Sequence, residues 1–500
     1  MAYSTLRGRG FLIPRRLNNL GSAYEAGATG GSRSANWRPS NAGPNAATQA
    51  LPMIRRRSRD AIRNDPWARA AIARLVSNTI GTGIQPFPLH PDKEVRALLK
   101  DLWADWVPDA DADGQLDAYG QQALAARAMF ADGEALARLR PGRPEDGLAV
   151  PLQIQAIEAD HLPVEKCEGL PNGNQIVHGV EFDGRIGKRV NYHLWRHHPG
   201  DYQFGTRLPQ SLVPVQADQV VHVYQVTRPG QVRGMPELTT VLLRLKSLDN
   251  FDDAVLFRQE VANLFAGFVT KPEPEAQGQD PATGLLAEYD NDGYTPLTSL
   301  EPGTMQELGP GEEVKFSQPP DAGDNYEGFM RQQLMAACAS VGVPYEVLTG
   351  DLRNVSDRVL RVILNEFHRQ IEQLIWTTFI HQYCRPIWAA WLDAAVLSGV
   401  VSLNDYHRNR RLYLRVRWVP QGWAYVHPVQ DVEAQAREVR AGFRSRSSVI
   451  LARGEDPDQT DQEIHADNAR ADSHGLVLDS DPRRTTSAGG PAKDQPTKGE

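Results

Sequence analysis

Apolar positions recur at helical spacing through much of this chain, and the most sustained runs lie between Met235 and Trp391. A first helix is predicted to open at Pro236, whose fixed φ and missing N–H suit a first helical position, and to run to Phe265 without a further proline or any glycine. Leu238, Val241, Leu242, Leu245 and Leu248 form one stripe, while Arg244, Lys246, Asp249, Asp252 and Asp253 keep the other faces wet. At ~1.5 Å per residue, roughly thirty residues make a rod of about 45 Å. A second helix begins near Tyr326, carries the small residues Ala336, Ala337, Ala339 and Ser340 that allow close helix approach, and is stopped by Gly342 and Pro344. The third and longest run places Leu360, Leu364, Phe367, Ile371, Leu374 and Ile375 on one face until Pro386 forces an end or a kink.

Two polar stretches separate these rods. From Lys271 to Glu313 the chain is rich in Pro, Gly and acid and cannot be helical throughout. Between Thr349 and Arg358 a loop is predicted, because the chain must turn back between Pro344 and Val359. Gly350 permits the turn, and Asp351, Arg353, Asn354, Asp357 and Arg358 are polar groups of mixed charge without an apolar partner.

Upstream, an amphipathic run from Ile54 to Ile80 breaks near Asn64–Pro66, and helices follow over Asp92–Trp106 and Leu116–Gly133. The period then shortens: from Leu136 to Val223 short β-rich runs alternate with Gly, Pro, Asp and Asn. A strand is predicted from Leu412 to Val419, with Leu412, Leu414, Val416 and Trp418 on its buried face and Tyr413, Arg415, Arg417 and Val419 on a basic one. From Pro428 the sequence is helical and strongly charged. The fold class is α+β.

At 500 residues the chain should divide into two to four domains, and 41% hydrophobic with 23% charged residues is a globular balance. A formal net charge of −8 argues against general electrostatic affinity for nucleic acid. Cys167, Cys338 and Cys384 form no CxxC pair and are odd in number, which fits a reducing interior. No apolar run reaches ~18 residues and the N-terminus has no signal-peptide pattern, so no membrane partner is expected. Met1–Pro52 is rich in Gly, Ser, Asn and Ala, with Arg7, Arg9, Arg15, Arg16, Arg33 and Arg38 opposed only by Glu25; it reads as a disordered basic arm whose charge either meets a partner or is merely solvated. Arg55, Arg56, Arg57, Arg59 and Arg63 extend this basic patch or form a solvated helix face. Disorder is also expected after Asp479.

Catalytic and ligand-binding patterns fail on inspection. The string DADADG starts like an EF-hand loop, but with Asp109 at position one the twelfth residue is Gly120 and not glutamate. GRIGKR, over Gly184–Arg189, lacks the spacing and the hydroxyl of a phosphate loop and reads as a β-turn. His193, His197 and His198 have no adjoining carboxylate or second His cluster, and a strand would send them to opposite faces. Cys338 lies among alanines at helical spacing, as a core residue does. No catalytic residue, cofactor or metal is predicted.

The phrases RSRDAIRNDPWARAAIARLVSNTIGTGIQP, PLQIQAIEADHLP, QADQVVHVYQVTRPGQVRGMPEL, LEPGTMQELGPGEEVKF, VGVPYEVLTGD and VPQGWAYVHPVQDVEA, in this order, resemble the portal proteins of tailed bacteriophages, lambda-type branch. The resemblance implies a portal fold with an α/β wing (53–234 and 359–427, the latter including a long spine helix), a two-helix stem (235–266 and 321–343), a small α/β clip (267–320), a tunnel loop (344–358) and a helical crown region (428–478), between a basic arm (1–52) and a tail (479–500). It implies a homo-oligomeric ring of twelve at a capsid vertex in the virion, present in host cytoplasm during assembly, that passes double-stranded DNA without sequence-specific binding. Asp351, Arg353, Asn354, Asp357 and Arg358 then face the DNA, and Glu288, Asp290, Asp292 and Glu301 of the clip dock the terminase large subunit and later the head-completion or tail-joining proteins. Major capsid and scaffold proteins are further implied partners. The alternative from another class is a multidomain hydrolase or nuclease whose site is built from dispersed carboxylates.

Overall fold

The break foreseen near Asn64–Pro66 is one residue wide. Asp65 is extended (φ −102°, ψ 119°), ends α1 (Leu51–Asn64) and starts α2 (Pro66–Thr79) by accepting N–H bonds from Trp67 at 2.8 Å and Ala68 at 3.0 Å. The computed structural model describes residues 40–203, 206–207, 211–264, 268–270, 313–315, 326–353, 355–423 and 428–476. The chain forms two units, one of Met1–Ala47 with Arg228–Gln231 and one of Thr48–Thr227 with Val232–Glu500. In the first, Asn45 Nδ2 donates to Gly230 O at 3.0 Å and Arg228 Nη1 to Ala42 O at 3.3 Å.

After β1 (Gln85–Pro88), α3 (Lys93–Trp106) starts at the cap Asp92, and α4 (Ala118–Asp132) starts at Asp117 and ends on left-handed Gly133. Two antiparallel sheets follow. The first has the order β11-β2-β3, from Val220–Tyr224, Glu134–Pro141 and Leu152–Ile157. The second has the order β10-β7-β6-β5-β4, from Leu212–Gln216, Arg189–Trp195, Val180–Phe182, Gln175–Val177 and Glu168–Gly169. A further two-residue hairpin joins β8 (Tyr202–Gln203) to β9 (Thr206–Arg207). The β-rich reading of Leu136–Val223 holds, and so does the α+β class.

The first rod is shorter than its sequence implies. Pro236 is extended at ψ 140° and precedes a 3₁₀ turn, Glu237–Thr240, so α5 spans only Leu242–Leu264. Those 23 residues span about 35 Å. Backbone crowding accounts for the delay: a Cβ on Gly133 would stand 2.4 Å from Met235 C, and one on Gly234 1.9 Å from Gly133 O. The chain runs tight against α4 at this point and must leave it before a helix can start. The predicted stripe Leu238, Val241, Leu242, Leu245 and Leu248 is buried as expected. α5 meets α6 (Tyr326–Val341) through Phe251 and Phe329, with ring centroids 5.1 Å apart, and through Arg244, which donates to Gln333 at 2.8 Å. Antiparallel β12 (Phe268–Thr270) and β13 (Glu313–Lys315) close the intervening acidic segment at its two ends.

A short α7 (Tyr345–Thr349) precedes α8 (Asp357–Leu374), and Pro386 neither ends the long helix nor breaks it. Ile375–Cys384 winds as a π-helix and passes into α9 (Arg385–Leu397). A proline cannot donate to the carbonyl four residues back and its ring crowds that carbonyl; the wider turn, in which Arg385 N–H reaches Ile380 O, makes room. α9 buries Trp388 and Trp391 against Trp103 and Trp106 of α3, with centroid separations of 4.8 to 5.2 Å for the closest pairs, and Trp106 Nε1 donates to Leu152 O at 2.8 Å. The strand expected from Leu412 is a correction: α10 (Tyr406–Tyr413) takes its first two residues, only β14 (Val416–Val419) pairs with β1, and Val419 is buried and not on a basic face. Tyr413 is buried instead of exposed because its hydroxyl donates to Asn404 O at 2.8 Å. Beyond it, α11 (Pro428–Arg440), α12 (Arg446–Ala452) and α13 (Pro457–Ser473) are charged helices as expected, and Asp456 at the start of α13 pairs with Lys100 of α3.

The α1 arginines are the main departure from the sequence reading. Arg55 is 1% exposed and Arg59 half-buried, so neither belongs to a solvated face or an open basic patch. Arg55 and Arg233 both pair with the fully buried Glu134, the first residue of β2. Arg233 Nε lies 2.9 Å from each carboxylate oxygen, Gly234 N–H donates to the same group at 3.2 Å, and His222 Nε2 sits 3.0 Å away. The spare guanidinium donors take main-chain oxygens: Arg55 binds Asp132 O at 3.0 Å and Ala159 O at 3.2 Å, and Arg233 binds His178 O at 2.9 Å. Arg59 forks onto Asp132 at 2.7 Å and reaches Asp160 at 2.6 Å.

Burial works to raise the Glu134 carboxyl, but Arg233, Arg55 and the His222 bond overcome it and hold the group well below the usual carboxylate range. Burial pushes the His222 imidazole down to about 4, against the opposing pull of Glu134. Since His222 is depressed in the folded state, the unfolded chain binds a proton that the folded chain refuses between the ordinary histidine value and about 4. Stability should therefore fall as pH drops through that window, by on the order of 3 kcal/mol from this group, while the depressed Glu134 carboxyl keeps its contribution to lower pH still. Urea unfolding of the parent and of His222→Gln at neutral pH and at about pH 4 checks this. The variant should lose distinctly less stability on acidification; equal losses contradict the assignment.

Candidate functional site

The polar loop is built by its two ends. Gly342, at φ +74°, ends α6, and Val343 and Leu348 are buried, so α7 is pinned to the core on both sides. Gly350, at φ +72°, caps α7, and the Thr349 side chain accepts the Asp351 N–H at 3.2 Å. On the other side Ser356 caps α8 by accepting the Val359 N–H at 3.4 Å.

Asp351 and Arg353 lie together in the loop, and not as independent charges. The Arg353 N–H and Nε both donate to Asp351 Oδ1, at 3.1 and 2.8 Å, and Nη2 donates to Oδ2 at 2.9 Å. Tyr345 OH, on α7, reaches Asp351 Oδ2 at 3.4 Å, and Arg353 Nη1 extends to Glu327 of α6 at 2.7 Å. The hydrogen bonds from Arg353 hold the Asp351 carboxyl far below the usual range and push the guanidinium up in turn. The pair presents a dipole more than a net charge. Arg331 stacks over Tyr345 at 5.5 Å, adding a cation that no loop pattern announced.

Asp357 and Arg358 correct the predicted loop boundary: both are exposed but lie in the first turn of α8, because the Ser356 cap starts the helix one residue earlier than the loop was expected to end. Asp357 there complements the helix N-terminus. Asn354 lies outside the described residues, as do Glu288, Asp290, Asp292 and Glu301 of the acidic segment. Glu327 and Arg331 were missed by the sequence reading, since only the fold brings α6 beside the loop.

The structure brings carboxylates to His193 and His198, which their sequence neighbourhood did not show. Asp111 of DADADG accepts N–H bonds from Asp113, Gln115 and Leu116 at 2.9 to 3.0 Å and from Gln121 Nε2 at 2.6 Å, so loop amides take the place of a cation. GRIGKR is a turn held by Asp183, which accepts from Arg185 at 2.8 Å and Ile186 at 2.9 Å. Of the three histidines, His193 bonds Glu181 at 3.1 Å, while His198 faces Glu158 at 3.0 Å and Asp160 at 3.7 Å. Glu158, Asp160 and His198 are close enough to hold a cation, but Arg59 already pairs with both carboxylates, at 3.2 and 2.6 Å. Cys338 is buried on α6, and burial pushes its thiol up to about 11, where it is not a nucleophile.

Portal proteins of phages are similar to this chain over much of its length. The probable portal protein of Halomonas phage phiHAP-1 is 25% identical over 436 residues, which cover 85% of this chain and 81% of that one. Portal protein B of Escherichia phage lambda is 22% identical over 292 residues, 53% of this chain and 52% of that one, so the match spans about half of the relative. Among solved structures, a chain in the neck of the native gene transfer agent particle, computed with C12 symmetry, aligns over 84% of this chain and 96% of its own at 16% identity and a TM-score of 0.44. The family model for phage portal proteins of the lambda family matches residues 30–374, through both sheets, α5, α6 and the loop to the end of α8, and the chain belongs to that family.

Proposed function

We propose that this chain is a structural subunit of a closed ring at one capsid vertex, through which double-stranded DNA passes, with the Asp351–Arg353 loop facing the DNA. Family membership supports the portal role. The observation that carries the finer reading is the loop itself: an exposed arginine clamped by an aspartate and a glutamate, in a stretch braced by α7 and α8. Free arginines lining a conduit would release counterions onto phosphates and grip the DNA, whereas a paired one can touch a backbone and let go. Asp357 and Arg358, in the adjoining first turn of α8, extend the same mixed surface.

Ring formation, twelve subunits by resemblance, is supported by apolar side chains that the subunit leaves uncovered. Leu243 is 73% exposed, Leu256 62% and Phe257 67% on α5, and Val362 is 65% exposed on α8. Such side chains on long helices call for a neighbouring surface, and head-to-tail contacts that close make a ring. The acidic segment around Glu288, Asp290, Asp292 and Glu301 remains our proposed docking site for the terminase large subunit and then for head-completion proteins, in the virion and beforehand in host cytoplasm.

Two measurements test this. Native mass spectrometry at micromolar concentration should give rings; monomers alone, in conditions where the chain is folded, contradict the assembly. Replacing Arg353 and Arg358 together by alanine should leave rings and motor binding intact while changing DNA retention or packaging velocity, because it frees Asp351 and leaves the loop acidic. Retention and velocity equal to those of the parent at several salt concentrations would place the loop away from the DNA.

A further inference from the structure

Beside the first sheet, a cleft of about 880 Å³ opens between the start of β7, the β10–β11 turn and the π-helix. Arg189 lies half-buried on its wall, and its partners there are neutral. Nη1 donates to Tyr192 Oη at 3.2 Å and Nη2 to Tyr224 Oη at 2.6 Å, with the guanidinium carbon 5.6 Å from the Tyr224 ring centroid. Among the described residues no carboxylate stands within ion-pair distance of Arg189; the acid on the lining is exposed Asp218 at the rim. Lys188 and the His381 imidazole line the same space. Gln382 Oε1 is taken by the Tyr224 N–H at 2.8 Å, which turns the amide's NH₂ away from the strand.

The wall is braced in one direction. Arg189 donates to Tyr192, the Tyr192 hydroxyl is 3.4 Å from His222 Nδ1, and His222 Nε2 is 3.0 Å from Glu134. With His222 neutral at ordinary pH, its Nε2 carries the proton to Glu134 and its Nδ1 accepts from Tyr192, which leaves the Tyr192 oxygen for Arg189 alone. Arg189 is held in place through one N–H on each terminal nitrogen by hydroxyls that do not neutralise it, and its other N–H groups remain for a ligand. A partly desolvated cation with a fixed orientation and no counter-charge is poised for an anion.

We propose that this cleft is a binding site for a phosphate-class oxyanion, inorganic or esterified, held by Arg189 and Lys188 with Gln382 and His381 at its margin. A carboxylate offers two oxygens, which one guanidinium fork satisfies. Donors that converge from β7 and from the π-helix across an open cleft match a tetrahedral anion with more acceptor oxygens. The proposal is independent of ring closure and of the DNA-facing loop, which lies on other elements.

Titration calorimetry of the full-length protein with inorganic phosphate, alongside phosphorus NMR line broadening, tests it. Saturable binding is expected, weakened about tenfold or more in Arg189→Gln and in Lys188→Gln. Lys188 is exposed and outside the hydroxyl chain, so its variant stays folded and keeps the test decisive if Arg189→Gln does not. Competition by a short DNA duplex would identify a nucleic-acid backbone as the source of the phosphate, and failure to compete would identify free phosphate or a small ester. An absence of saturable binding to the parent protein, or binding unchanged in Lys188→Gln, overturns the site.

Discussion

Glu134 is the point on which the second unit depends. It sits directly after the left-handed Gly133 that ends α4 and opens the central strand of the first sheet, and it is wholly buried. Two buried guanidiniums meet on it, one from α1 and one from the segment that leads into α5. Removing either charge from water is expensive, so each is tolerable only while all three are present with their remaining donors and acceptors filled. Main-chain oxygens of Asp132, Ala159 and His178 complete that set. The N-terminal helix, the sheet and the chain approaching α5 are thereby fixed together by a contact that hydrophobic packing alone would leave free to slide.

The same logic scales down to the loop. Arg353 holds Asp351 in three hydrogen bonds and still reaches Glu327, so its orientation is set by α6 and not by solvent. Where the core uses a shared carboxylate to cancel two arginines, the loop uses two carboxylates to restrain one. Arg189 is the exception, braced by hydroxyls with its charge left open. For a portal-family protein of net charge −8, these local arrangements decide where anions are met, since the overall charge repels them.

Helix type and approximate extent were legible wherever apolar spacing ran long, as in α4, α6 and α8, and the break at Asp65 could be read from its cap and the proline beside it. Misreadings fell where tertiary contacts set the backbone. The delayed start of α5 comes from Gly234 pressing against Gly133, and the π-helix absorbs Pro386 in a way that no propensity announces. Arg55 did carry a signal: it lies at helical spacing between Leu51, Ser58 and Ile62, all buried, so the stripe itself passed through a charge. Its partners lie far away in sequence and could not be found from spacing. Asp351 and Arg353 were legible as a mixed-charge loop, while Glu327 was not, because a long acidic segment separates α5 from α6 and hides which surface faces the loop.

One buried carboxylate locks α1, the first sheet and the approach to α5 into a single body, so the decisive quantity is the free energy of unfolding of Glu134→Gln, a substitution that keeps the shape and removes the charge. A loss of about 3–5 kcal/mol is expected, with hydrogen exchange accelerated in α1 and at the start of β2 together, because two arginines are left buried without a counter-charge. A loss below about 1 kcal/mol with exchange unchanged in both segments would contradict it.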